Sequence, residues 1–365
     1  MLSEARRGWR YENRVMRMQG NRVGHETSTP SRMVELDALR GIAAVAVLGY
    51  HFTTRYQEQI GHVGGMALDL RVGKYGVYLF FLISGFVIFM TLERTRTAMD
   101  FVVSRFSRLF PGYWAAIVLT AAVVYAAGLS MQQLPLGELL LNFTMVQEIL
   151  GAEHLDGSYW TLQVELFFYV QMLFWFVVGQ LRRIHWIIGG WLLLATVEGL
   201  CEKHHWHFSY WVRELLILRF IPFFALGILF YRMHRHPGEW RLNLVMVLLA
   251  LLAIAVGERP VFLPVALACC AIFALFIRGR LGFLDTRLFV FLGGISYALY
   301  LVHQAIGFVV IHQLEQRGVP ALLACLVAAS VSLALAVGLN RGVERPVMAW
   351  MREGWRRRGM RLETT

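Results

Sequence analysis

The sequence predicts an all-α integral membrane protein of about ten transmembrane helices with both termini in the cytoplasm. Hydrophobic residues make up 57% of the 365 residues and charged residues only 16%, whereas soluble domains are about half apolar and a quarter charged. The apolar residues are gathered into runs of roughly 20, the length with which a helix crosses a bilayer. This composition excludes a disordered chain and argues against a water-soluble globule.

Ten apolar runs approach the length of a transmembrane segment. Helices are the expected spanning form because each satisfies its own backbone hydrogen bonds in lipid, and the runs lack the alternation of barrel strands. Their approximate ranges are 37–55, 76–92, 112–129, 159–180, 184–201, 213–233, 242–257, 260–277, 288–313 and 320–341.

The basic residues predict the orientation. The net charge is +11, and all but two of the 35 basic residues are arginines. With the N-terminus placed inside, the inner connections hold 26 of them and the outer connections hold 6. This asymmetry follows the positive-inside rule and favours an even number of spans. Because the arginines lie between apolar runs, we interpret them as a membrane-surface feature, and we expect no nucleic-acid partner.

The chain divides into three predicted parts. Residues 1–34 form a basic N-terminal tail, residues 35–345 the membrane domain, and residues 346–365 a basic cytoplasmic C-terminal tail. The arginines of the first tail fit one face of an interfacial helix on anionic lipid, and a disordered basic tail remains the alternative.

The first span carries two polar residues on one helix face. Arg40 and His51 are eleven residues apart, which is three turns plus about 20° and about 16 Å along the helix axis. Ionisable groups within a span usually face a cavity or a partner. An imidazole has an ordinary pKa of about 6.5, which suits general-base work on a hydroxyl. The alternative is an arginine at the headgroups and a histidine at the opposite interface.

Two arginines follow the second span. Arg105 and Arg108 are three residues apart just before Pro111, so they share a helix face. Two guanidinium groups there can bind phosphates in a bidentate manner. Ordinary positive-inside anchoring is the alternative.

Glu165 lies about two turns into the fourth span, and a carboxylate at that depth needs a partner. His51 is predicted at a comparable depth, and the pair would orient the imidazole. An ion pair with an arginine is the competing interpretation. Ser84, beside Gly85 in the second span, is a small packing surface and is also kept among the candidate binding residues.

Histidines occur in two further places. His303 follows Tyr297 and Tyr300 on the ninth span, where it either lines the same cavity as His51 or is a satisfied core histidine. The outer stretch CEKHHWHF holds three more histidines, but no ligand spacing typical of a metal site is present. We therefore expect no metal.

Six fragments occur in one order along residues 34–350. They are LDALRGIAAVAVLGYHF, GVYLFFLISGF, RFSRLFPGYW, SYWTLQVELFFY, GGISYALYLVHQ and VERP. Together they resemble the integral-membrane acyltransferase family 3, which includes the O-acetyltransferases of bacterial surface glycans.

The resemblance implies an activity and a set of site residues. Members transfer an acyl group, usually acetyl, from cytoplasmic acyl-CoA to a hydroxyl, often of a sugar beyond the membrane. The co-substrate would be acetyl-CoA or another acyl-CoA, with no permanently bound cofactor. The acceptor would be a glycan or a lipid-linked saccharide, and the location the bacterial cytoplasmic (inner) membrane. The family motifs match Arg40 and His51, Arg105 and Arg108 as a CoA phosphate site, Glu165, and the stretch Ser296, Tyr297, Tyr300 and His303.

Two rival functions remain open. One is acylation of a small hydroxyl compound, such as a macrolide or a lipid. The other is transport of a polar solute, with the same charged residues lining its path. A requirement for CoA separates the transporter from the enzymes. The sequence does not predict the acyl length or the oligomeric state.

Overall fold

The computed structural model describes residues 33–128, 133–257 and 260–363, and within them the chain is helical with no strand. Most of the predicted N-terminal tail lies outside the described residues. The helices are α1 (Val34–Tyr50), α2 (Gly76–Leu92), α3 (Ala98–Ala127), α4 (Leu136–Asn142), α5 (Trp160–Val177), α6 (Ile184–Lys203), α7 (Tyr210–Leu215), α8 (Ile221–Arg235), α9 (Trp240–Gly257), α10 (Phe262–Ile277), α11 (Arg287–Val302), α12 (Gln304–Glu315), α13 (Ala321–Leu339) and α14 (Arg345–Glu363).

Six helical stretches in the described residues are long and apolar enough to cross a membrane, and a bent pair makes up to seven. The six are Arg71–Leu92, Ala98–Ala127, Trp160–Val177, Leu181–Lys203, Pro237–Gly257 and Ala321–Arg358. Predicted spans outside this group correspond to shorter helices, such as α8 with 15 residues and α10 with 16. The protein is therefore a multi-pass helical membrane protein, while the count of ten spans and the cytoplasmic termini stay predictions.

Helices α1 and α11 cross at two glycines. A Cβ on Gly41 would lie 2.7 Å from the backbone nitrogen of Gly293, and one on Gly293 would lie 2.1 Å from the carbonyl oxygen of Asp37. Both distances are too short for any side chain, because backbone atoms cannot move aside. The crossing brings the C-terminal end of α1 towards the C-terminal end of α11.

The ninth span is not the continuous segment 288–313 that the sequence predicts. Helices α11 and α12 meet at an angle of 71° beside His303. In an unbroken helix the N–H of Ala305 would bond to the carbonyl of Leu301. Instead, the hydroxyl of Tyr159 donates to the Leu301 carbonyl (3.1 Å), and the N–H of Ala305 donates to Asp156 (2.8 Å). Side chains from the loop before α5 thus replace this helical bond at both ends and stabilise the bend.

The first span ends in a π-helical turn. The turn, His51–Arg55, follows α1 directly and leads into a short helical segment, Tyr56–Gln59. The Phe52 carbonyl within it accepts hydrogen bonds from His62 (3.0 Å) and Cys325 (3.2 Å). π-Helical turns are frequent at functional sites, and this one begins at the histidine that the sequence singled out.

The third span begins 14 residues earlier than predicted. A capping box of Thr97 and Asp100 starts α3 at Ala98, and the helix continues through Pro111 to Ala127. Arg105 and Arg108 are therefore part of one long helix and do not precede it. The C-terminal tail is also helical through residue 363, because α13 continues through the π-helical turn Asn340–Glu344 into α14.

Candidate functional site

Two histidines meet at the π-helical turn. Nδ1 of His51 lies 2.6 Å from Nε2 of His303, and the two rings stack with centroids 4.8 Å apart. His303 is 1% exposed, whereas His51 is only partly buried. The bend beside His303 and the glycine crossing of α1 and α11 place the two imidazoles in contact.

The hydrogen bonds determine which nitrogen of each ring carries the proton. Nδ1 of His303 lies 2.9 Å from the carbonyl oxygen of Tyr300, which can only accept, so Nδ1 is protonated. Nε2 of a neutral His303 must then accept the N–H of His51 Nδ1. A neutral His51 consequently has a bare Nε2, and this atom can take a proton from a substrate hydroxyl.

A buried carboxylate that sequence reasoning missed supports this pair. Asp156 is 1% exposed, and its charge acts on the His303 ring. One carboxylate oxygen accepts from the N–H and the hydroxyl of Ser158 (2.8 and 2.6 Å), and the other accepts from the N–H of Ala305. Asp156 therefore stabilises the bend and supplies a negative charge near a histidine that would share a proton.

Glu165 does not pair with His51, contrary to the sequence prediction. The hydroxyls of Ser84 (2.6 Å) and Tyr169 both donate to its Oε1. Tyr169 lies one helical turn from Glu165 on α5, while Ser84 is on α2. Glu165 interacts with the charge of Arg40, which lies about 16 Å along α1 from His51, so the carboxylate is out of reach of that imidazole. A functional role for Glu165 remains a prediction.

Arg40 lies near the carboxylate of Glu165 and its hydrogen-bond partners. Its guanidinium lies 3.6 Å from the carboxylate of Asp37, and its charge also interacts with those of Glu165 and Arg108. Since eleven helical residues separate Arg40 from His51, the two groups lie about 16 Å apart along α1.

The remaining predicted binding residues gather around α3. Arg108 lies 4.0 Å from Glu344 and stacks over the ring of Tyr297 at 5.3 Å. The hydroxyl of Tyr297 donates to the carbonyl of Leu109 (2.8 Å). Arg105 lies over the rings of Phe101 and Tyr169, each at 5.9 Å.

The predicted residues thus form two groups. His51 and His303 make a hydrogen-bonded imidazole pair, and a charged cluster lies on the Arg40 side of α1; it contains Arg40, Ser84, Arg105, Arg108, Glu165 and Tyr297. The first group can exchange a proton and the second can bind an anion.

The three histidines of the stretch CEKHHWHF do not come together with further ligands in the described part of the chain. Among the described residues, no group of three or more histidine, cysteine, aspartate or glutamate side chains is placed to hold a metal ion. An open cavity of about 600 Å³ lies between α5 and α6, lined among others by Trp175, Arg183, Trp186 and Trp191, and no predicted site residue belongs to its lining.

The fold and the site define a helical membrane protein with a hydrogen-bonded histidine pair and a basic cluster. The chain belongs to acyltransferase family 3, because the profile of that family, described as an acyltransferase domain, matches residues 33–341. The family resemblance seen in the sequence motifs is therefore confirmed.

Three curated proteins are similar to the chain. The acyltransferase MdmB of Streptomyces mycarofaciens is 26% identical over 315 residues, covering 75% of this chain and 79% of MdmB. Nodulation protein 10 of Rhizobium leguminosarum bv. viciae is 30% identical over 156 residues, covering 37% and 42%. Protein 2 in the picA locus of Rhizobium radiobacter is 34% identical over 110 residues, covering 28% and 52%. No solved structure matches the chain.

Proposed function

We propose that the protein is an O-acyltransferase of the bacterial cytoplasmic membrane. It moves an acyl group, acetyl by preference, from cytoplasmic acyl-CoA to a hydroxyl of a cell-surface saccharide. Family membership supports the transfer class. The single structural observation that carries the chemistry is the bare Nε2 of His51, which follows from the His51–His303–Tyr300 hydrogen bonds.

The donor binds at the charged cluster. Arg105 and Arg108 hold the CoA phosphates, because guanidinium groups bind phosphate oxygens in a bidentate manner. The pantetheine arm then runs along the face of α1 past Arg40. The axial separation of Arg40 and His51, about 16 Å, is comparable to an extended pantetheine arm. On this proposal the thioester reaches the imidazole without movement of a protein domain.

The transfer is a direct displacement through a tetrahedral intermediate. Nε2 of His51 takes the proton of the acceptor hydroxyl, and the hydroxyl oxygen bonds to the thioester carbonyl carbon. The intermediate collapses with cleavage of the carbon–sulfur bond, and the CoA thiolate takes the proton back from Nε2. His303 orients His51 by accepting the hydrogen bond of His51 Nδ1. The charge of Asp156 stabilises the transient imidazolium. The charge of Glu165 stabilises the arginines of the charged cluster.

The direct test is acyl transfer by the purified protein in proteoliposomes, with labelled acetyl-CoA and bacterial surface polysaccharide as acceptor. We expect label on the polysaccharide and release of free CoA. Mass spectrometry of surface polysaccharide from cells with and without the protein should show the loss of acetyl increments. Label transferred only to lipid or to a small hydroxyl compound would reject the saccharide acceptor. No dependence on acetyl-CoA or on any longer acyl-CoA would reject the enzyme class and favour a transporter.

A double substitution tests the proposed CoA site. Replacing both Arg105 and Arg108 with alanine should raise the KM for acetyl-CoA at least tenfold, because two charge-assisted hydrogen-bonding groups are lost. An unchanged KM would reject their assignment to the CoA phosphates.

A further inference from the structure

The C-terminal helix packs against the arginine-bearing part of α3. Nε1 of Trp355 donates to the carboxylate of Asp100 (2.7 Å). Arg352 reaches Ser107 through Nε and the carbonyl of Ser104 through Nη2, both at 3.4 Å. These contacts direct the guanidinium of Arg352 to the segment of α3 that carries Arg105 and Arg108.

Three positive charges are therefore close together. The charge of Arg352 interacts unfavourably with those of Arg105 and Arg108, and also with that of Arg356. Such repulsion is costly where water is partly excluded. The three guanidinium groups therefore form a patch of positive charge that favours the binding of an anion.

The described carboxylates do not balance this positive charge. Glu344 lies 4.0 Å from Arg108 alone, and Asp100 is engaged by Trp355 and Thr97. No described carboxylate forms an ion pair with Arg105 or Arg352, and Nε of Arg105 is buried without a hydrogen-bond partner. Buried polar groups are usually paired, so this Nε is a donor available to a phosphate oxygen.

We propose that Arg352 completes, with Arg105 and Arg108, a binding site for the phosphates of the nucleotide part of acyl-CoA. The inference rests on the proposed function and assigns to the C-terminal helix a part in donor binding. Coenzyme A carries a 5′-diphosphate and a separate 3′-phosphate. Arginines on two helices match two separated phosphate positions better than the two arginines of α3 alone.

The test compares donors that carry or lack these phosphates. KM and kcat are measured in nanodiscs with acetyl-CoA and with S-acetylpantetheine, for the wild type and for Arg352→Ala. We expect Arg352→Ala to raise the KM for acetyl-CoA about tenfold at unchanged kcat, which is the loss of one charge-assisted hydrogen bond. Turnover of S-acetylpantetheine should be unaffected, and this also shows that the variant is folded.

Arg357→Ala is the matched control. It removes the same charge from the same helix, but Arg357 is exposed and pairs with Glu353 at 2.9 Å. The KM for acetyl-CoA should not change in this variant. Equal effects of Arg352→Ala and Arg357→Ala, or an equal effect on both donors, would overturn the proposal.

Anionic lipid headgroups carry phosphate groups as well, so a second part of the experiment distinguishes lipid from acyl-CoA. The KM comparison is repeated in nanodiscs of phosphatidylcholine alone and with phosphatidylglycerol added. We expect the effect of Arg352→Ala in both. An effect confined to the anionic nanodiscs would assign Arg352 to lipid and overturn the proposal, while continued acetyl transfer from acetyl-CoA would leave the proposed function standing. A wild-type protein that neither binds nor uses acetyl-CoA would overturn both.

Discussion

Nδ1 of His51 and Nε2 of His303 lie 2.6 Å apart, although 252 residues separate them in the chain. The carbonyl of Tyr300 holds the proton of His303 on Nδ1, so in the neutral pair His51 Nδ1 donates and His303 Nε2 accepts. The lone pair of His51 Nε2 is thereby kept for a substrate. This relationship is the structural basis of the proposed chemistry.

The carboxylate of Asp156 should be needed for the rate of transfer. In Asp156→Asn an amide nitrogen replaces one of the two carboxylate oxygens, so either the N–H of Ala305 or the donors of Ser158 lose their acceptor. The substitution also removes the charge that acts on His303. We expect kcat for acetyl transfer to fall at least about tenfold. Glu153→Gln neutralises an exposed residue of the same loop and should leave kcat unchanged. A fully active Asp156→Asn protein would show that the charge is irrelevant to the histidine pair.

Two substitutions separate the hydrogen-bonding contribution of Glu165 from its electrostatic contribution. Ser84 and Tyr169 both donate to one carboxylate oxygen, so the amide oxygen of Glu165→Gln can still accept from both. We expect thermal stability close to wild type and a clear loss of acetyl transfer. Glu165→Ala should lose stability as well, by about 1–3 kcal/mol, because two buried hydroxyls lose their acceptor. Wild-type transfer by Glu165→Gln would limit this residue to packing.

The crossing of α1 and α11 should tolerate no side chain at Gly293. A Cβ there would meet the carbonyl oxygen of Asp37 at 2.1 Å, whereas at the adjacent Gly294 it would meet only the tip of the flexible Arg345 side chain at 3.4 Å. Gly293→Ala should lower the free energy of unfolding by about 1–3 kcal/mol through overpacking and reduce transfer, since the two histidines are carried by these helices. Gly294→Ala should do neither. Equal thermal unfolding curves for the two variants would contradict this account of the crossing.

A buried pair supports the π-helical turn after His51. His62 Nδ1 lies 2.6 Å from Glu315 and its Nε2 lies 3.0 Å from the Phe52 carbonyl, with both side chains of the pair at most 1% exposed. Both ring nitrogens thus face acceptors. Glu315→Gln should destabilise the protein by about 2–3 kcal/mol, because the buried ring of His62 loses a charged hydrogen-bond acceptor.

The exposed pair of Arg357 and Glu353 is the control for that value. Its side chains are 69% and 52% exposed, so Glu353→Gln should change stability by less than about 0.5 kcal/mol. Thermal unfolding in detergent measures both variants. Similar shifts for Glu315→Gln and Glu353→Gln would refute the claim that burial makes the first pair structurally important.

The sequence predicted the helical class more fully than it predicted the contacts between helices. Apolar runs and the arginine and histidine of the first span are local features, so spacing singled out Arg40 and His51, and the family resemblance supplied their expected roles. The contact of His51 with His303 depends on where α11 bends, and that bend is made by Tyr159 and Asp156 from a distant loop. An aspartate in a polar loop has no distinctive local signal. Glu165 was assigned to His51 by its expected depth in the membrane, whereas it lies on the Arg40 side of α1, because the bounds of apolar runs do not fix the relative depth of two helices.

Arg352 shows the same limit for electrostatics. It is one of several arginines near the C-terminus, and the charge pattern there predicts membrane anchoring equally for all of them. Only the packing of α14 on α3 separates Arg352, which faces Ser104 and Ser107, from the exposed Arg357.

The most direct test of the central claim is acetyl transfer by His51→Ala, measured beside equilibrium binding of labelled acetyl-CoA to the same protein. Removal of a general base typically costs about 10²–10⁴-fold in rate, and the charged cluster, the proposed donor site, begins at Arg40, about 16 Å away along α1. We predict that transfer to the acceptor hydroxyl is lost while acetyl-CoA binds with wild-type affinity. Transfer at the wild-type rate by His51→Ala would contradict the account.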